Sequence, residues 1–470
     1  EQGSDYHSLE NTHERSAAFV GVATYSWKRR YSLTGTYRYE GTNRMGKSRS
    51  ARWLPTWNLS GAWNAHEESW FEKLKPVLSN FTAKLSYSLT ADRGPSSITN
   101  SRAVIKADNP WRPSANDKES SLYIAWLANN DLTYEKKHEL NFGLDAGFLN
   151  NRINFTFDIY TRRNYDLIGA TNTMGIGGET TKYGNVAKMK SNGVELSLNT
   201  VNIKTKDFTW TTDFIYSHMH NEVTELNTLN RLYDYISGYG FTMPGYPQRS
   251  LFSIPFAGLN NEGLPTFYDP DGNITVTGID MQEYDPERLK FLKYEGPADP
   301  TDVGSLGNIF RYKNLTLNLF ITYSFGNVVR LDPVFSSQYS DLTATPKEFN
   351  NRWIKPGDEK FTNIPVIASR QQLNNIAYLS RAYQSYNYST ARVAKGDFIR
   401  MKEISLAYEF PKTLTQPLHL SNLSLKLQAT NLFLLYADKK LNGQDPEFFN
   451  TGGVATPMPK QFTLTLKFGI

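Results

Sequence analysis

Apolar and polar side chains alternate along many segments of this chain, most clearly over residues 462–470. Every second position there is apolar, as Phe462, Leu464 and Leu466 illustrate. A period of two is typical of a β-strand with one face in an apolar medium and the other in a polar one. Many alternating segments run about ten residues, the length at which a tilted strand crosses a bilayer. The pattern predicts an all-β protein, a transmembrane antiparallel β-barrel.

The alternation predicts about fifteen strands, an odd number, whereas single-chain bacterial barrels have even numbers. On this interpretation the chain does not close a barrel by itself. Tight turns alternate with long connections, as periplasmic turns and extracellular loops do in such barrels. We expect the extracellular loops near 93–133, 221–248, 270–303, 326–396 and 433–460. The predicted strands are 17–28, 30–41, 52–64, 79–92, 134–148, 152–166, 188–203, 207–220, 249–259, 263–269, 304–312, 314–325, 397–410, 421–432 and 461–470.

One connection between predicted strands, 66–76, is expected to be a short helical link. Trp70 and Phe71 in this link are predicted to anchor it at the membrane interface. On the inner face of the strands, polar residues such as Arg38, Asp158 and Glu195 are predicted to line a wet lumen.

Composition agrees with a barrel and excludes a helical membrane protein. Mean hydropathy is −0.52, and no apolar run reaches the roughly 18 residues that a transmembrane helix needs. Aromatic residues make up 14% of the chain, with 28 Tyr and 27 Phe, which suits the aromatic girdles of a barrel. Cysteine is absent, which excludes disulfides and thiolate metal sites. The net charge of +5 without a basic run disfavours nucleic-acid binding.

Three short motifs suggest chemistry, and a structural interpretation is favoured for each. Asp269-Pro270-Asp271-Gly272 lacks the spacing of a calcium loop and predicts a hairpin turn. His218 and His220 have no evident third metal ligand, and the glycine-rich stretch 175–178 has no helix after it. No nucleophile elbow, Walker motif or zincin helix occurs. We therefore expect no enzymatic activity, no cofactor and no metal.

Five groups of residues resemble the SusC/RagA-type TonB-dependent outer-membrane transporters of Bacteroidota, and together they span almost the whole chain. The groups are 31–44 with 54–56 and 61–63; Tyr183-Gly184-Asn185-Val186-Ala187 with 192–196; 307–313 with 323–326; 352–359 with 362–365; and 397–408 with Asn431-Leu432-Phe433, Asp445-Pro446-Glu447 and 459–463.

This resemblance implies a bacterial outer-membrane barrel of the 22-strand size, to which residues 1–470 contribute the C-terminal part. A signal peptide, a TonB box and a plug, which the family carries before the barrel, are not visible in the sequence, and the chain ends on Ile470 where the family has Phe. We expect the remaining N-terminal part, roughly seven strands, to lie on a longer or companion polypeptide.

The implied function is TonB-dependent import of a large nutrient together with a SusD-like surface lipoprotein. The implied partners are that lipoprotein, TonB acting through a plug outside this chain, the rest of the transporter and outer-membrane lipid. The cargo is a glycan or an oligopeptide, and the sequence does not distinguish them. Two alternatives stay open: a passive porin-like pore, and a surface β-protein that acts as an adhesin or a glycan-degrading enzyme.

Aromatic residues of the predicted outer loops are the candidate substrate-binding residues, because flat aromatic faces stack on sugar rings and peptide side chains. Packing between loops, or contact with a lid protein, is the alternative for each of them. The candidates are Trp111, Trp126, Tyr233, Tyr235, Tyr239, Phe241, Tyr246, Trp353, Tyr383, Tyr386 and Tyr388.

Overall fold

Antiparallel strands dominate the fold. The computed structural model describes residues 13–94, 103–108, 121–175, 181–228, 230–238, 240–334, 347–448 and 458–469. The strands are β1 (Ser16–Trp27), β2 (Tyr31–Thr42), β3 (Trp53–Asn64), β4 (Leu78–Asp92), β5 (Val104–Asp108), β6 (Ser121–Trp126), β7 (Glu135–Phe148), β8 (Ile153–Asn172), β9 (Thr181–Lys204), β10 (Phe208–Leu226), β11 (Ser250–Ser253), β12 (Phe256–Leu259), β13 (Pro265–Tyr268), β14 (Ile274–Thr275), β15 (Lys293–Pro297), β16 (Asp302–Tyr312), β17 (Leu315–Phe325), β18 (Val328–Arg330), β19 (Val393–Lys395), β20 (Phe398–Glu409), β21 (Asn422–Ala437) and β22 (Gln461–Gly469).

Helices are short and lie in the connections. Among the described residues, none is long and apolar enough to cross a membrane. The α-helices are α1 (Arg49–Arg52), α2 (Leu232–Ile236), α3 (Arg370–Asn375), α4 (Leu379–Asn387) and α5 (Lys412–Thr415). The 3-10 helices are Ala65–Glu67, Ser69–Lys73, Arg288–Phe291, Lys347–Asn351, Asp358–Lys360, Thr390–Arg392, Gln416–Leu418, Lys439–Leu441 and Pro446–Phe448.

Thirteen strands form one large sheet in the order β1-β2-β3-β4-β7-β8-β9-β10-β16-β17-β20-β21-β22. Its neighbours are antiparallel throughout. Within the described residues, β1 and β22 each pair on one side only, so the sheet has two edges. Tight turns at one end use left-handed backbone at Arg29, Asn150 and Lys313. We call this the turn end, and the opposite end, which carries the long connections, the loop end.

One face of the large sheet is an apolar belt that points away from the protein. Leu317, Leu406, Leu427 and Leu464 lie side by side across β17, β20, β21 and β22. Leu427 and Leu464 expose 53% and 69% of their surface. Leucines in a sandwich would be buried between two sheets, so this exposed row confirms the predicted barrel wall.

The opposite face of the sheet is polar, as the sequence predicts. The Asn199 amide donates to Asp213 over 2.5 Å between β9 and β10. Between β17, β20 and β21, Glu403 accepts from Asn318 at 3.3 Å and from Gln428 at 3.1 Å. Hydrogen bonds between neighbouring strands thus satisfy polar groups on the face that alternates with the apolar belt.

Two of the predicted membrane strands, 249–259 and 263–269, are not part of the large sheet, and this prediction was wrong. The first segment forms two strands of four residues, β11 and β12, and the second forms one, β13. They belong to two small sheets, β11-β15 and β12-β13-β14. All of β11 is buried, so it has no alternation between two media. Four residues are too few to cross a bilayer.

The predicted helical link after β3 is present, but its two aromatic residues differ. Trp70 exposes 51% of its surface, which suits the membrane interface, whereas Phe71 is buried at 1%. The interfacial prediction for Phe71 was wrong, because the tight 3-10 helix Ser69–Lys73 turns this ring inward.

Candidate functional site

Two long connections at the loop end pack into one unit, which we call the loop assembly. It consists of the described residues between β10 and β16 and those between β17 and β20. Its buried core comprises Leu232, Ile236, Ile254, Leu264, Phe267, Ile279, Met281, Leu289, Val334, Phe349, Ala368, Leu379, Ala382, Tyr383 and Tyr386. Because each connection contributes to the same core, burial of apolar surface fixes the two connections to each other.

Backbone hydrogen bonds reinforce this packing. The Ile254 amide donates to the Tyr388 carbonyl at 3.0 Å, and the Thr390 amide donates to the Ile254 carbonyl at 3.0 Å. The Val366 amide donates to the Gly263 carbonyl at 3.0 Å. These bonds join residues that are far apart in sequence, so the loop assembly is a structured surface over the loop end.

A buried arginine links the small sheets inside the loop assembly. Arg330 donates to the Phe252 carbonyl at 2.5 Å, to Ser253 Oγ at 3.1 Å and to the Ser389 carbonyl at 3.3 Å. Burial lowers the pKa of its guanidinium to about 10. The hydrogen bonds therefore hold a charge that has little contact with water.

Three of the predicted substrate-binding aromatics belong to the core or its edge. Tyr383 and Tyr386 each expose 1% of their surface, and Trp353 exposes 8%. Burial raises the pKa of Tyr386 to about 12 and also raises the pKa of Tyr383. These three rings have no free face for a ligand, so for them the structure corrects the binding prediction in favour of loop packing.

Five other candidates are half-buried and contact further aromatic rings. Tyr233 and Tyr388 meet edge to face with ring centres 6.0 Å apart. Tyr235 packs edge-on against Phe241 at 4.9 Å, and Tyr246 contacts Phe252 and Tyr294. Their exposed portions can still contact a ligand, which stays a prediction. Trp111 and Tyr239 lie outside the described residues, and of Trp126 only its position in β6 is described.

Phe241 lines a cavity of about 600 Å³ at the loop end. Apart from Ala170, its other lining residues are polar: Thr228, Asn230, Arg231, Asp234 and Ser237. Burial opposes ionisation of Asp234, but hydrogen bonds from the Arg231 side chain and backbone hold its pKa below the usual value. The cavity thus combines an aromatic ring with a charged pair and an amide, which can stack on a ligand and hydrogen-bond to it.

A motif singled out in the sequence, 352–359, forms a compact turn rather than a binding site. Trp353 Nε1 donates to Glu359 at 3.0 Å, and this bond is the largest cause that holds the pKa of Glu359 below its usual value. Asp358 accepts from the backbone amides of Ile354 and Lys355, both at 3.1 Å. The residues of the motif therefore bind one another.

Two more of the sequence motifs connect strands of the large sheet to segments outside it. The Asn185 side chain donates to the carbonyls of Thr133 and Asp166 at 2.8 and 2.6 Å and accepts from the Thr133 amide at 2.9 Å. Arg400 of β20 forms a buried ion pair with Asp445 and contacts Glu447 at 3.2 Å. Sequence reasoning recognised these residues as motifs but did not identify this structural role.

Neither of the two motifs considered as metal sites, 269–272 and His218 with His220, forms a cluster of metal ligands among the described residues. Asp269 Oδ1 caps its own turn by accepting from the amides of Asp271 and Asn273, as the hairpin interpretation predicts. His218 Nδ1 lies 2.8 Å from Asp302 Oδ1. In the described part of the chain, no group of three His, Asp or Glu residues is arranged to hold a metal ion.

Comparison with known proteins identifies relatives of the whole described fold. Residues 4–432 match the family described as TonB dependent receptor-like, beta-barrel. The chain is 26% identical over 474 residues to TonB-dependent receptor SusC of Bacteroides thetaiotaomicron, covering 97% of this chain and 43% of that protein. It is 25% identical over 450 residues to TonB-dependent receptor P3 of Formosa agariphila, covering 91% of this chain and 41% of that protein. The chain thus spans less than half the length of the curated relatives it matches.

Solved structures show the same fold. The structure of the RagAB peptide transporter superimposes with a TM-score of 0.77 at 22% identity, over 97% of this chain and 47% of that chain. The RagAB peptide importer in its 'open-open' state gives a TM-score of 0.76 at 22% identity, over 100% of this chain and 49% of that chain. With the family match over most of the sequence, these similarities establish that the chain belongs to the TonB-dependent receptor-like β-barrel family of the outer membrane.

Proposed function

We propose that this chain forms wall and extracellular loops of an importer that carries a large nutrient, a glycan or an oligopeptide, across the outer membrane. The observation that carries this proposal is the division of one thirteen-stranded sheet into an exposed apolar face and a polar face, with the loop assembly at one end. An apolar outer face suits lipid, and a polar inner face suits a wet passage.

The loop end is proposed to be extracellular, because barrels of the outer membrane have their long loops outside and their short turns in the periplasm. The remaining strands, the plug and the TonB box are proposed to belong to the rest of the transporter. Within the described residues, β1 and β22 each pair on one side only, which supports this arrangement because an open sheet edge is not stable in hydrocarbon.

Cargo is proposed to contact the cavity at Phe241. Aromatic stacking suits sugars and peptides alike, and Arg231 with Asp234 can pair with charged or hydroxyl groups of either. This site replaces the buried Tyr383, Tyr386 and Trp353 as the first place to look for substrate contact.

A surface lipoprotein of the SusD type is the proposed partner at the outer surface of the loop assembly. Several large apolar side chains of the loop assembly are exposed, and Phe361, with 89% of its surface exposed, is the most exposed of them. Exposed apolar residues of this size mark interaction surfaces. Further examples are Tyr284, Ile354 and Tyr378.

Uptake of labelled glycans and oligopeptides by cells tests the proposal. In cells with the intact transporter, accumulation of the cargo should stop when a protonophore collapses the inner-membrane gradient. Phe241→Ala should lower uptake severalfold, whereas Tyr268→Ala, which removes an exposed aromatic ring that does not line the cavity, should not. Uptake that continues unchanged after the protonophore would instead indicate a passive pore.

A further inference from the structure

Basic side chains from three neighbouring strands meet on the outward face of the sheet near its loop end. In the register of the sheet, His138 of β7 lies directly opposite Arg163 of β8, and Arg163 lies directly opposite Lys190 of β9. Directly opposed residues of antiparallel strands share a face, with their Cβ atoms about 5 Å apart. The three side chains therefore form one continuous row, which we call the basic row.

The charges of the basic row are only partly balanced. Lys190 forms an ion pair with Glu222 at 2.8 Å. Arg163 is exposed, and among the described residues its side chain has no ion-pair or hydrogen-bond partner. Like charges directly opposite each other destabilise a sheet, so Arg163 beside Lys190 calls for an anion between them.

The basic row lies just above the apolar belt. Leu140 follows His138 two residues further along the same face of β7, and Ile159 lies on the same face as Arg163 in β8; both are exposed. Two to four residues of strand correspond to about 7–13 Å. This distance places the basic side chains beside lipid headgroups when the belt is in hydrocarbon.

Stacked aromatic rings are a second indication that the basic row lies at the membrane interface. The His138 ring lies between the rings of Tyr87 and Tyr165, with both centre-to-centre distances at 5.7 Å and interplanar angles of 14° and 16°. Tyrosine rings with polar tips are enriched at the boundary between hydrocarbon and water.

An apolar groove begins directly below the basic row. Its volume is about 510 Å³, and its lining includes Leu140, Phe142, Ile159, Val194, His218 and His220. The apolar part of this groove can hold a stretch of acyl chain. The two histidines belong to β10 and line one side of the groove.

We propose that the basic row and the groove bind one phosphate-bearing lipid of the outer leaflet, with its phosphate at Arg163 and Lys190 and an acyl chain in the groove. The phosphate separates the two cations and accepts hydrogen bonds from the otherwise unpartnered guanidinium. The contiguous groove favours a lipid over a water-soluble anion. This site is on the outer surface of the wall. Its assignment to the outer leaflet rests on the proposed extracellular position of the loop end, whereas the binding of lipid is independent of the proposed import of nutrients.

Native mass spectrometry of the detergent-solubilised transporter can measure this binding. The probes are phosphatidic acid and phosphatidylcholine of equal chain length, each titrated with and without excess inorganic phosphate. The test variant is Arg163→Ala with Lys190→Ala, and the matched control is Lys204→Ala with Lys206→Ala, which removes the same charge at the turn end.

Phosphatidic acid should bind more tightly than phosphatidylcholine, and each lost cation of the basic row should weaken its binding about fivefold. The control variant should bind as the original protein does. Equal binding of both lipids, or an unchanged affinity in the test variant, would overturn the proposal. Full displacement by inorganic phosphate would show an anion site without a lipid and would also overturn it.

Discussion

Arg400 and Asp445 form an ion pair in which both side chains are almost completely buried. Replacing Asp445 with Ala leaves the buried guanidinium with only the more exposed Glu447, at 3.2 Å, as a charged partner. Loss of a buried charged partner costs about 3–5 kcal/mol. We expect a correspondingly lower free energy of unfolding for Asp445→Ala in detergent, measured by denaturant titration.

Lys402 offers a control for this prediction, because it pairs with Glu447 at 3.7 Å in a more exposed position. Lys402→Ala should change the free energy of unfolding by less than about 1 kcal/mol. Equal effects of the two substitutions would contradict the assignment of Arg400 and Asp445 as the stabilising pair.

Burial of Tyr386 predicts an abnormal titration. Its pKa is raised from 10.0 to about 12, because ionisation would place a negative charge in an apolar core. The phenol should therefore stay neutral through pH 10 and ionise only as the pH approaches 12. The difference in tyrosinate absorbance between the original protein and Tyr386→Phe should show this step.

The difference in tyrosinate absorbance between the original protein and Tyr386→Phe, measured in denaturant, provides the reference, since an unfolded tyrosine has a pKa of about 10. A native difference curve that coincides with the denatured one would show that Tyr386 is accessible to water. Tyr386 would then return to the set of substrate-binding candidates.

The sequence could not separate binding aromatics from core aromatics. Tyr383 and Tyr386 lie in α4 with the spacing of neighbours on one helical face, a pattern that a nine-residue helix among polar residues shows only weakly. Their burial arises from contacts with β12, β13 and the 366–368 segment, which are distant in sequence. Phe241 was predicted, but the cavity beside it depends on residues of β8 and α2 that no local pattern relates.

At the scale of elements, the turn before β13 depends on a glycine. Gly263 has a φ of +75°, and a Cβ atom there would lie 2.4 Å from the Trp353 ring. Gly263→Ala should therefore destabilise the loop assembly by about 1–3 kcal/mol, through steric overlap added to backbone strain. Faster amide hydrogen exchange in 254–268 and 352–366 would reveal the loss.

Gly272 is the matched control for Gly263. Its φ is +81°, yet a Cβ atom there would meet nothing within 4 Å. Gly272→Ala thus introduces the backbone strain without the overlap, and we expect a smaller change in exchange, confined to the β13–β14 hairpin. If both substitutions accelerate exchange equally in 352–366, the contact between Gly263 and Trp353 is not important for the assembly.

The period of two predicted all thirteen strands of the large sheet, because the two faces of each strand meet different media. It gave no means to exclude β11, β12 and β13, whose short sequences are strand-like but lie inside the loop assembly. It also underestimated the lengths of three strands: β8 extends to Asn172, β9 begins already at Thr181, and β10 extends to Leu226. Those extensions lie beyond the apolar belt, where the alternation that marks lipid contact is no longer required.

For the whole molecule, every inference about transport depends on which face of the sheet meets lipid. Leu317 and Leu319 of β17 belong to the apolar belt, while Thr316 and Asn318 belong to the polar face. The chain contains no cysteine, so single cysteines at these four positions can each carry one spin label without background.

The most direct test is the accessibility of these four labels in a bilayer, measured with oxygen and with a water-soluble nickel chelate. The barrel wall predicts that labels at 317 and 319 are relaxed mainly by oxygen, which concentrates in lipid, and that labels at 316 and 318 are relaxed mainly by the chelate. Loss of this alternation, with all four positions shielded from both reagents, would contradict a sheet that divides membrane from water.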